Sequence, residues 1–90
     1  MNVLLADDSS TIRTIVKRCL VKEFDCTVTE AENGIEALRA LDDQRFSLVV
    51  LDVHMPVMDG LEALEMLRDS VHSAVPVVML TSDRDQDLFN

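Results

Sequence analysis

Short apolar runs alternate along this chain with longer segments whose apolar residues recur at helical spacing. Residues 48–51 form a continuous apolar run, which is typical of a central parallel strand that is covered on both faces. Residues 27–31 alternate between apolar and polar positions, as expected for a half-exposed edge strand. Residues 3–6 and 76–80 are two further apolar runs of strand length. The pattern therefore predicts four strands separated by helical segments.

Three helices are predicted between these strands. The first begins at Ser9 or Ser10, and its apolar positions predict one buried face. Capping-box patterns, in which an Asn or Asp precedes a Glu by three residues, start the second and third helices. The apolar positions are Ile12, Ile15, Val16, Cys19 and Leu20 in the first helix, Ile35, Leu38 and Leu41 in the second, and Leu61, Leu64 and Leu67 in the third. An alternation of strands and helices of this kind indicates an α/β fold with a parallel sheet.

Acidic residues follow two of the predicted strands directly. Asp7 and Asp8 come after residues 3–6, Asp52 ends the run at 48–51, and Thr81 closes the run at 76–80. In an open parallel sheet the carboxyl ends of the strands share one edge, and ligands bind in the crevice there. These four side chains are therefore expected to converge on one site.

Clustered carboxylates repel one another unless a cation offsets their charge, and a ligand set made only of oxygen favours a hard ion. Mg²⁺ fits best, because it accepts one or two protein carboxylates together with waters and a phosphate. The cysteines and histidines show no zinc-ligand spacing.

An aspartate can also attack phosphorus and form an aspartyl phosphate. Asp52 is the candidate nucleophile, Asp7 and Asp8 are the candidate metal ligands, and the Thr81 hydroxyl is placed to hydrogen-bond a phosphoryl oxygen.

Composition and charge restrict the number of domains, the cellular location and the kinds of partner expected for this chain. Ninety residues with 48% apolar content are enough for one domain, and we expect a cytoplasmic protein because no membrane span or secretory signal is visible. Cys19 and Cys26 are expected to be core thiols. A net charge of −9 argues against direct binding of nucleic acid. Half of the eight basic residues, however, lie in the first helix: Arg13, Lys17, Arg18 and Lys22. They form either a positive strip that binds an acidic partner or an ordinary solvated helix face.

Several segments together resemble the receiver domain of bacterial two-component response regulators. In the order of that family, the matching segments are residues 4–10 (LLADDSS), 31–34 (AENG), 51–60 (LDVHMPVMDG) and 77–82 (VVMLTS). They cover nearly the whole chain and are highly specific in combination. The stretch DDSSTIR, residues 7–13, is most similar to receivers of the chemotaxis type.

The resemblance implies a flavodoxin-like doubly wound sheet, of which this chain would contain the strand order 2-1-3-4. It also implies that Asp52 is the phosphoacceptor, Asp8 a direct Mg²⁺ ligand, and Asp7 an acid that acts on the metal through water. The backbone carbonyl of His54 is a further implied ligand, and the amides of His54 and Ser82 are implied phosphoryl contacts. Thr81 matches the switch hydroxyl. The implied partners are a sensor histidine kinase or phosphotransfer protein, and a downstream protein target or an attached output domain.

The family also has a lysine at the end of a fifth strand, and this sequence stops at Asn90, before that strand could occur. We therefore expect residues 1–90 to be one receiver domain that is incomplete at its carboxyl end. The strand at 76–80 would then be an exposed edge that invites pairing. A shortened chain, a longer parent protein, or a dimer or swapped oligomer that covers this edge would each account for it.

Two other functions compete with the receiver reading. The first is an aspartyl-nucleophile phosphatase of the haloacid-dehalogenase type, which also requires Mg²⁺ but has a second acid two residues after its nucleophile. This chain has His54 at that position. The second is a receiver remnant that is not phosphorylated and acts only through protein contacts. Asp59 is interpreted as a helix cap outside the site.

Overall fold

The computed structural model describes residues 1–80, so the expectations for Thr81, Ser82 and residues 83–90 lie outside the described part. The elements follow one another as alternating strands and helices: β1 (Asn2–Ala6), α1 (Ser10–Glu23), β2 (Thr27–Ala31), α2 (Gly34–Asp43), β3 (Leu48–Asp52), α3 (Gly60–Arg68) and β4 (Val77–Leu80).

The four strands form one parallel sheet in the order β2-β1-β3-β4. This order confirms the flavodoxin-like arrangement predicted from the sequence. β1 lies at the centre between β2 and β3, and its pairing brings Ala6 beside Ala31 on one side and beside Leu51 on the other. The residues that follow β1 and the residue that ends β3 are therefore neighbours at the carboxyl edge of the sheet.

Side chains of the central strands alternate between two apolar layers. Leu4 and Leu51 belong to the layer that also contains Ala37 of α2 and Ala63 of α3. The opposite layer is smaller: Val3, Leu5 and Val50 are buried there, and Val16 and Leu20 of α1 pack against them. Full burial on both faces explains the continuous apolar runs of β1 and β3.

The expected buried face of α1 is wrong for most of its residues. Val16 and Leu20 are half-buried against the sheet, but Ile12, Ile15 and Cys19 are exposed. Cys19 is therefore not a core thiol, whereas Cys26 is half-buried and its thiol donates to the Leu20 carbonyl at 3.6 Å. Within residues 1–80, α1 is the one helix on its side of the sheet, so its outer apolar positions have no helix to pack against.

Two smaller sequence predictions for the other helices also need correction. Leu61 of α3 is 58% exposed, and Ala63 and Leu67 provide the buried contacts of that helix instead. In the second helix, Asn33 caps α2 by accepting from the Glu36 backbone N–H at 2.9 Å. The Glu36 carboxylate accepts from the backbone N–H of Glu32 at 3.2 Å, so the expected capping box is only half formed.

Within residues 1–80, β4 is an edge of the sheet and its Val78 side chain is exposed, as expected for the run at 76–80. No helix in this described part is long and apolar enough to cross a membrane.

Candidate functional site

Three carboxylates meet at the carboxyl edge of the sheet. One oxygen from each of Asp7, Asp8 and Asp52 lies within 4.8 Å of the others. Asp7 and Asp52 are only 4% and 6% exposed, whereas Asp8 faces solvent. The convergence expected from the strand ends is thus present for the three acids, with two of them buried and one exposed, whereas Thr81 lies outside the described residues.

Backbone pairing fixes Asp7 at the end of β1. Its N–H donates to the carbonyl of Ala31 at 3.0 Å, which extends the contact between β1 and β2 by one residue. Its carboxylate Oδ1 accepts from the backbone N–H of Ser9 at 2.9 Å, and Ser9 caps α1 by accepting from Ile12 N–H at 3.2 Å. The turn from β1 into α1 therefore holds Asp7 and Asp8 at the edge.

Asp52 is held in a similar way at the end of β3. Its Oδ1 accepts from the backbone N–H of His54 at 3.3 Å. Burial raises the pKa of the Asp52 carboxyl, and the negative charges of Asp7 and Asp8 raise it further, against the lowering effect of His54, whose backbone N–H bonds the carboxylate. An acid whose ionised form is disfavoured by burial and by like charges is typical of a site that is completed by a cation.

The loop after β3 is tightly folded. Val57 has a φ of 68°, in the left-handed region, and the adjacent Met58 N–H donates to the Pro56 carbonyl at 2.7 Å. α3 then starts with a complete capping box, in which Asp59 accepts from Glu62 N–H at 2.8 Å and Glu62 accepts from Asp59 N–H at 3.2 Å. This confirms the interpretation of Asp59 as a helix cap.

An open cleft of about 360 Å³ lies beside the acids. It is lined by Asp8, His54, Met55, Pro56 and Asp59. Asp59 therefore borders this cleft in addition to capping α3, although the sequence places it outside the site. Met55 is buried and forms part of the core under this loop. The cleft therefore gives a phosphate-sized group access to the exposed side of the carboxylate cluster.

The donor set of the cluster fits Mg²⁺. Ligand oxygens of Mg²⁺ lie about 2.1 Å from the ion, so two direct ligands are at most roughly 4.2 Å apart. A cluster whose oxygens lie within 4.8 Å is compatible with direct ligation by some acids and a water bridge to another. Mg²⁺ also retains waters readily, which the exposed position of Asp8 permits.

Two residues near the site were missed by sequence reasoning about function. The sequence pattern groups Arg13 only with the basic residues of the first helix, but its guanidinium donates to the backbone carbonyl of Asp7 at 2.6 Å. The sequence pattern places Gly60 only in a capping box, but its backbone N–H donates to the carbonyl of Val53, the residue after Asp52, at 3.0 Å. The one available signal is that the chain has only two glycines and that both, Gly34 and Gly60, follow a helix cap directly.

Comparisons with known proteins agree with this geometry. The family profile of the response regulator receiver domain matches residues 3–90. The chemotaxis protein CheY of Listeria monocytogenes is 39% identical over 89 residues, which are 98% of this chain and 73% of that protein. A protein-glutamate methylesterase/protein-glutamine glutaminase of Hahella chejuensis is 38% identical over 82 residues, which are 91% of this chain. The chain spans only 23% of that second relative, so the similarity concerns one part of it.

A solved structure shows the same fold. The response regulator TrrA of Thermotoga maritima, in complex with Mg²⁺-BeF, is 31% identical and superposes with a TM-score of 0.84 over 96% of this chain and 74% of that one. The family profile, the similarity to relatives over nearly the whole of this chain, and the fold thus agree with the acidic cluster at the ends of β1 and β3. The chain belongs to the response regulator receiver domains, the phosphoacceptor modules of two-component signalling.

Proposed function

We propose that Asp52 is the phosphoacceptor of this receiver domain and that it takes its phosphoryl group from a sensor histidine kinase or a phosphotransfer protein. The observation that supports this assignment most strongly is the cluster of Asp52 with Asp7 and Asp8 beside an open cleft. Asp52 is the one acid of the three that ends β3, and Asp7 and Asp8 are adjacent in the turn after β1. The roles of nucleophile and metal ligand are divided accordingly.

The transfer is a displacement at phosphorus. A carboxylate oxygen of Asp52 forms a new P–O bond while the P–N bond of a phosphohistidine breaks, and the electron pair of that bond returns to the imidazole nitrogen. With acetyl phosphate as donor, the bond that breaks is the P–O bond to acetate. Attack of water on the aspartyl phosphate later releases inorganic phosphate and restores the carboxylate.

Residues of this chain would hold the ion and orient the acceptor for that step. Asp7, Asp8, Asp52 and the backbone carbonyl of His54 are the proposed ligands of Mg²⁺, which when bound neutralises phosphoryl charge. The His54 backbone N–H, which donates to Asp52 at 3.3 Å, is the proposed phosphoryl contact on this side of the site. We propose that the Thr81 hydroxyl is the switch group and that the backbone amide of Ser82 is a second phosphoryl contact.

The proposed output is a change in protein contacts. A phosphoryl group adds about −1.5 to −2 charges to a site that is already acidic, and this biases the surrounding loops toward a second arrangement. The partner that responds is a downstream protein or an attached output domain, and the domain itself neither binds nucleic acid nor turns over a substrate. We place the chain in the cytoplasm, where such partners meet.

Incubation with acetyl phosphate tests this proposal. The chain is incubated with and without Mg²⁺, and the phosphorylated fraction is measured by intact mass, with the modified residue mapped after trapping of the acyl phosphate by hydroxylamine. We expect phosphorylation at Asp52 that requires Mg²⁺ and is abolished by Asp52→Asn. Asp43→Asn, at an exposed acid at the end of α2, is the matched control and is expected to react like the wild type.

Modification at another acid, or equal modification of wild type and Asp52→Asn, would overturn the assignment of the nucleophile. Catalytic turnover of a small phosphate ester that is lost in Asp52→Asn would instead support the phosphatase alternative.

A further inference from the structure

The side chain of Arg13 reaches from α1 to the edge of the sheet and makes two separate contacts there. Its Nη1 donates to the backbone carbonyl of Asp7 at 2.6 Å, and its Nε donates to Oε1 of Glu30 at 3.0 Å. The Arg13 side chain is only 12% exposed, although it carries a full charge. A guanidinium with donors in a rigid fork is suited to such a two-sided contact, and a lysine ammonium is not.

Glu30 fixes the position of this fork. It belongs to β2, one residue before Ala31, whose carbonyl accepts from the Asp7 N–H. The second oxygen of Glu30 lies 3.5 Å from Lys17 Nζ, one helical turn after Arg13. Arg13 therefore ties α1, the end of β1 and the end of β2 together at one point.

These contacts surround the backbone of Asp7 on both sides. Its N–H is bonded to Ala31, its carbonyl to Arg13, and its carboxylate to the Ser9 N–H. The N–H and the carbonyl belong to the peptide units before and after the Asp7 Cα, so the first two bonds restrain both of these units. The direction of the Asp7 carboxylate is thus set by its backbone as well as by the turn into α1.

We propose that Arg13 is a positioning residue for the divalent-ion site, acting through its bond to the Asp7 carbonyl while Glu30 holds its guanidinium. The inference depends on the proposed function, because it concerns the same acidic cluster. Groups that hydrogen-bond metal ligands without contacting the metal themselves typically lower metal affinity by about 10- to 100-fold when they are removed.

A purely electrostatic effect of Arg13 and a positioning effect predict opposite changes in Mg²⁺ affinity when Arg13 is removed, so the two can be distinguished. If Arg13 acted only as a nearby positive charge, its removal would strengthen the binding of Mg²⁺, since like charges repel. If it positions Asp7, its removal weakens the binding of Mg²⁺. Lys17 offers a matched control, because it lies on the same helix, carries the same charge and contacts the same Glu30.

The experiment compares Arg13→Met, Arg13→Lys and Lys17→Met with the wild type by titration calorimetry with Mg²⁺. We expect Arg13→Met to weaken Mg²⁺ binding by about tenfold, on the scale typical of such supporting groups, and Lys17→Met to change it by less than about twofold. Arg13→Lys keeps the charge but not the fork, so we also expect it to bind Mg²⁺ more weakly than the wild type. Equal or tighter binding by Arg13→Met, or equal effects of Arg13→Met and Lys17→Met, would overturn the proposal.

Amide hydrogen exchange of the metal-free protein provides a readout that does not depend on the ion. We expect the Asp7 N–H to exchange about tenfold faster in Arg13→Met than in the wild type, and the amides of the central β3 strand to exchange at unchanged rates. If the wild type did not bind Mg²⁺ at all, the proposed function would fail. The exchange rate of the Asp7 N–H would then still show whether Arg13 holds the Asp7 backbone in place. Uniformly faster exchange across β1 and β3 would show a general loss of stability and would contradict a positioning role.

Discussion

Gly60 packs directly against the backbone carbonyl of Asp52. A Cβ atom built at Gly60 would overlap the Asp52 carbonyl oxygen and would lie 2.9 Å from its carbonyl carbon. The Gly60 N–H donates to the Val53 carbonyl at 3.0 Å. The first residue of α3 and the end of β3 are thus in contact through their backbones, and this contact has no room for a side chain.

Gly60→Ala is therefore expected to destabilise the protein, although an alanine normally favours a helix over glycine by about 1 kcal/mol. Overpacking against backbone costs about 1 to 3 kcal/mol, and the atoms that must move include those of Asp52. Urea unfolding measures the change. Glu65→Ala, at an exposed position of the same helix, is expected to stay within about 0.5 kcal/mol of the wild type. An unchanged or higher stability of Gly60→Ala would show that α3 is not seated as described.

Ionised Asp52 is expected to destabilise the metal-free protein. Its pKa is raised in the folded state by burial and by Asp7 and Asp8, so the folded protein holds this proton more tightly than the unfolded chain. The folded protein is therefore stabilised while Asp52 is protonated, and this stabilisation is lost as the pH rises through the pKa of Asp52 in the folded state. At neutral pH Asp52 is ionised and the stabilisation is absent.

Asp52→Asn should therefore stabilise the metal-free protein at pH 7 by on the order of 1 kcal/mol, the scale of one partly screened contact between like charges. The gain should shrink as the pH is lowered to values at which wild-type Asp52 is protonated. Saturating Mg²⁺ should also reduce or reverse it, because only the wild type retains all three acids. Thermal unfolding at several pH values checks this, and a less stable Asp52→Asn at pH 7 without metal would contradict it.

Val57 is a strained position in the loop that borders the cleft. A φ of 68° places its L side chain in the left-handed region, which costs about 1 to 2 kcal/mol and is rare for a β-branched residue. We expect Val57→Gly to stabilise the protein by about 1 kcal/mol, because the relief of strain exceeds the entropic cost of a glycine. Val71→Gly, at another exposed loop valine without a positive φ, should be neutral or destabilising. Urea unfolding distinguishes the two, and destabilisation of Val57→Gly would show that the turn does not strain this residue.

The strand ends could be predicted from the sequence because the residues that surround them are chemically distinct. Apolar runs of four or five residues that stop at an aspartate locate both the strand and its carboxyl end, and parallel pairing then brings Asp7 and Asp52 together. This is why the meeting of Asp7, Asp8 and Asp52 could be expected from the residues alone. The strand order, in contrast, followed from the resemblance to the receiver family and not from the apolar runs. The same reasoning applies to Asp59, whose cap depends only on residues three positions apart.

Contacts between distant segments could not be read from the sequence in this way. Helical spacing shows that Ile15 and Cys19 share a side of α1, but it does not show what that side packs against, and both are exposed. The contact of Arg13 with Asp7 depends on the reach of a long side chain from a helix to a strand end. The close approach of Gly60 to Asp52 depends on how α3 is seated against β3.

Titration with Mg²⁺, followed by the amide resonances of the isotopically labelled protein, tests the central claim most directly. The account predicts that the amides of Asp8 and His54 shift together with a single dissociation constant, and that Asp52→Asn weakens this binding by about tenfold or more. The absence of shifts at these positions, or shifts that are centred on the exposed acids of α2 and remain unchanged in Asp52→Asn, would contradict a shared ion site formed by Asp7, Asp8 and Asp52.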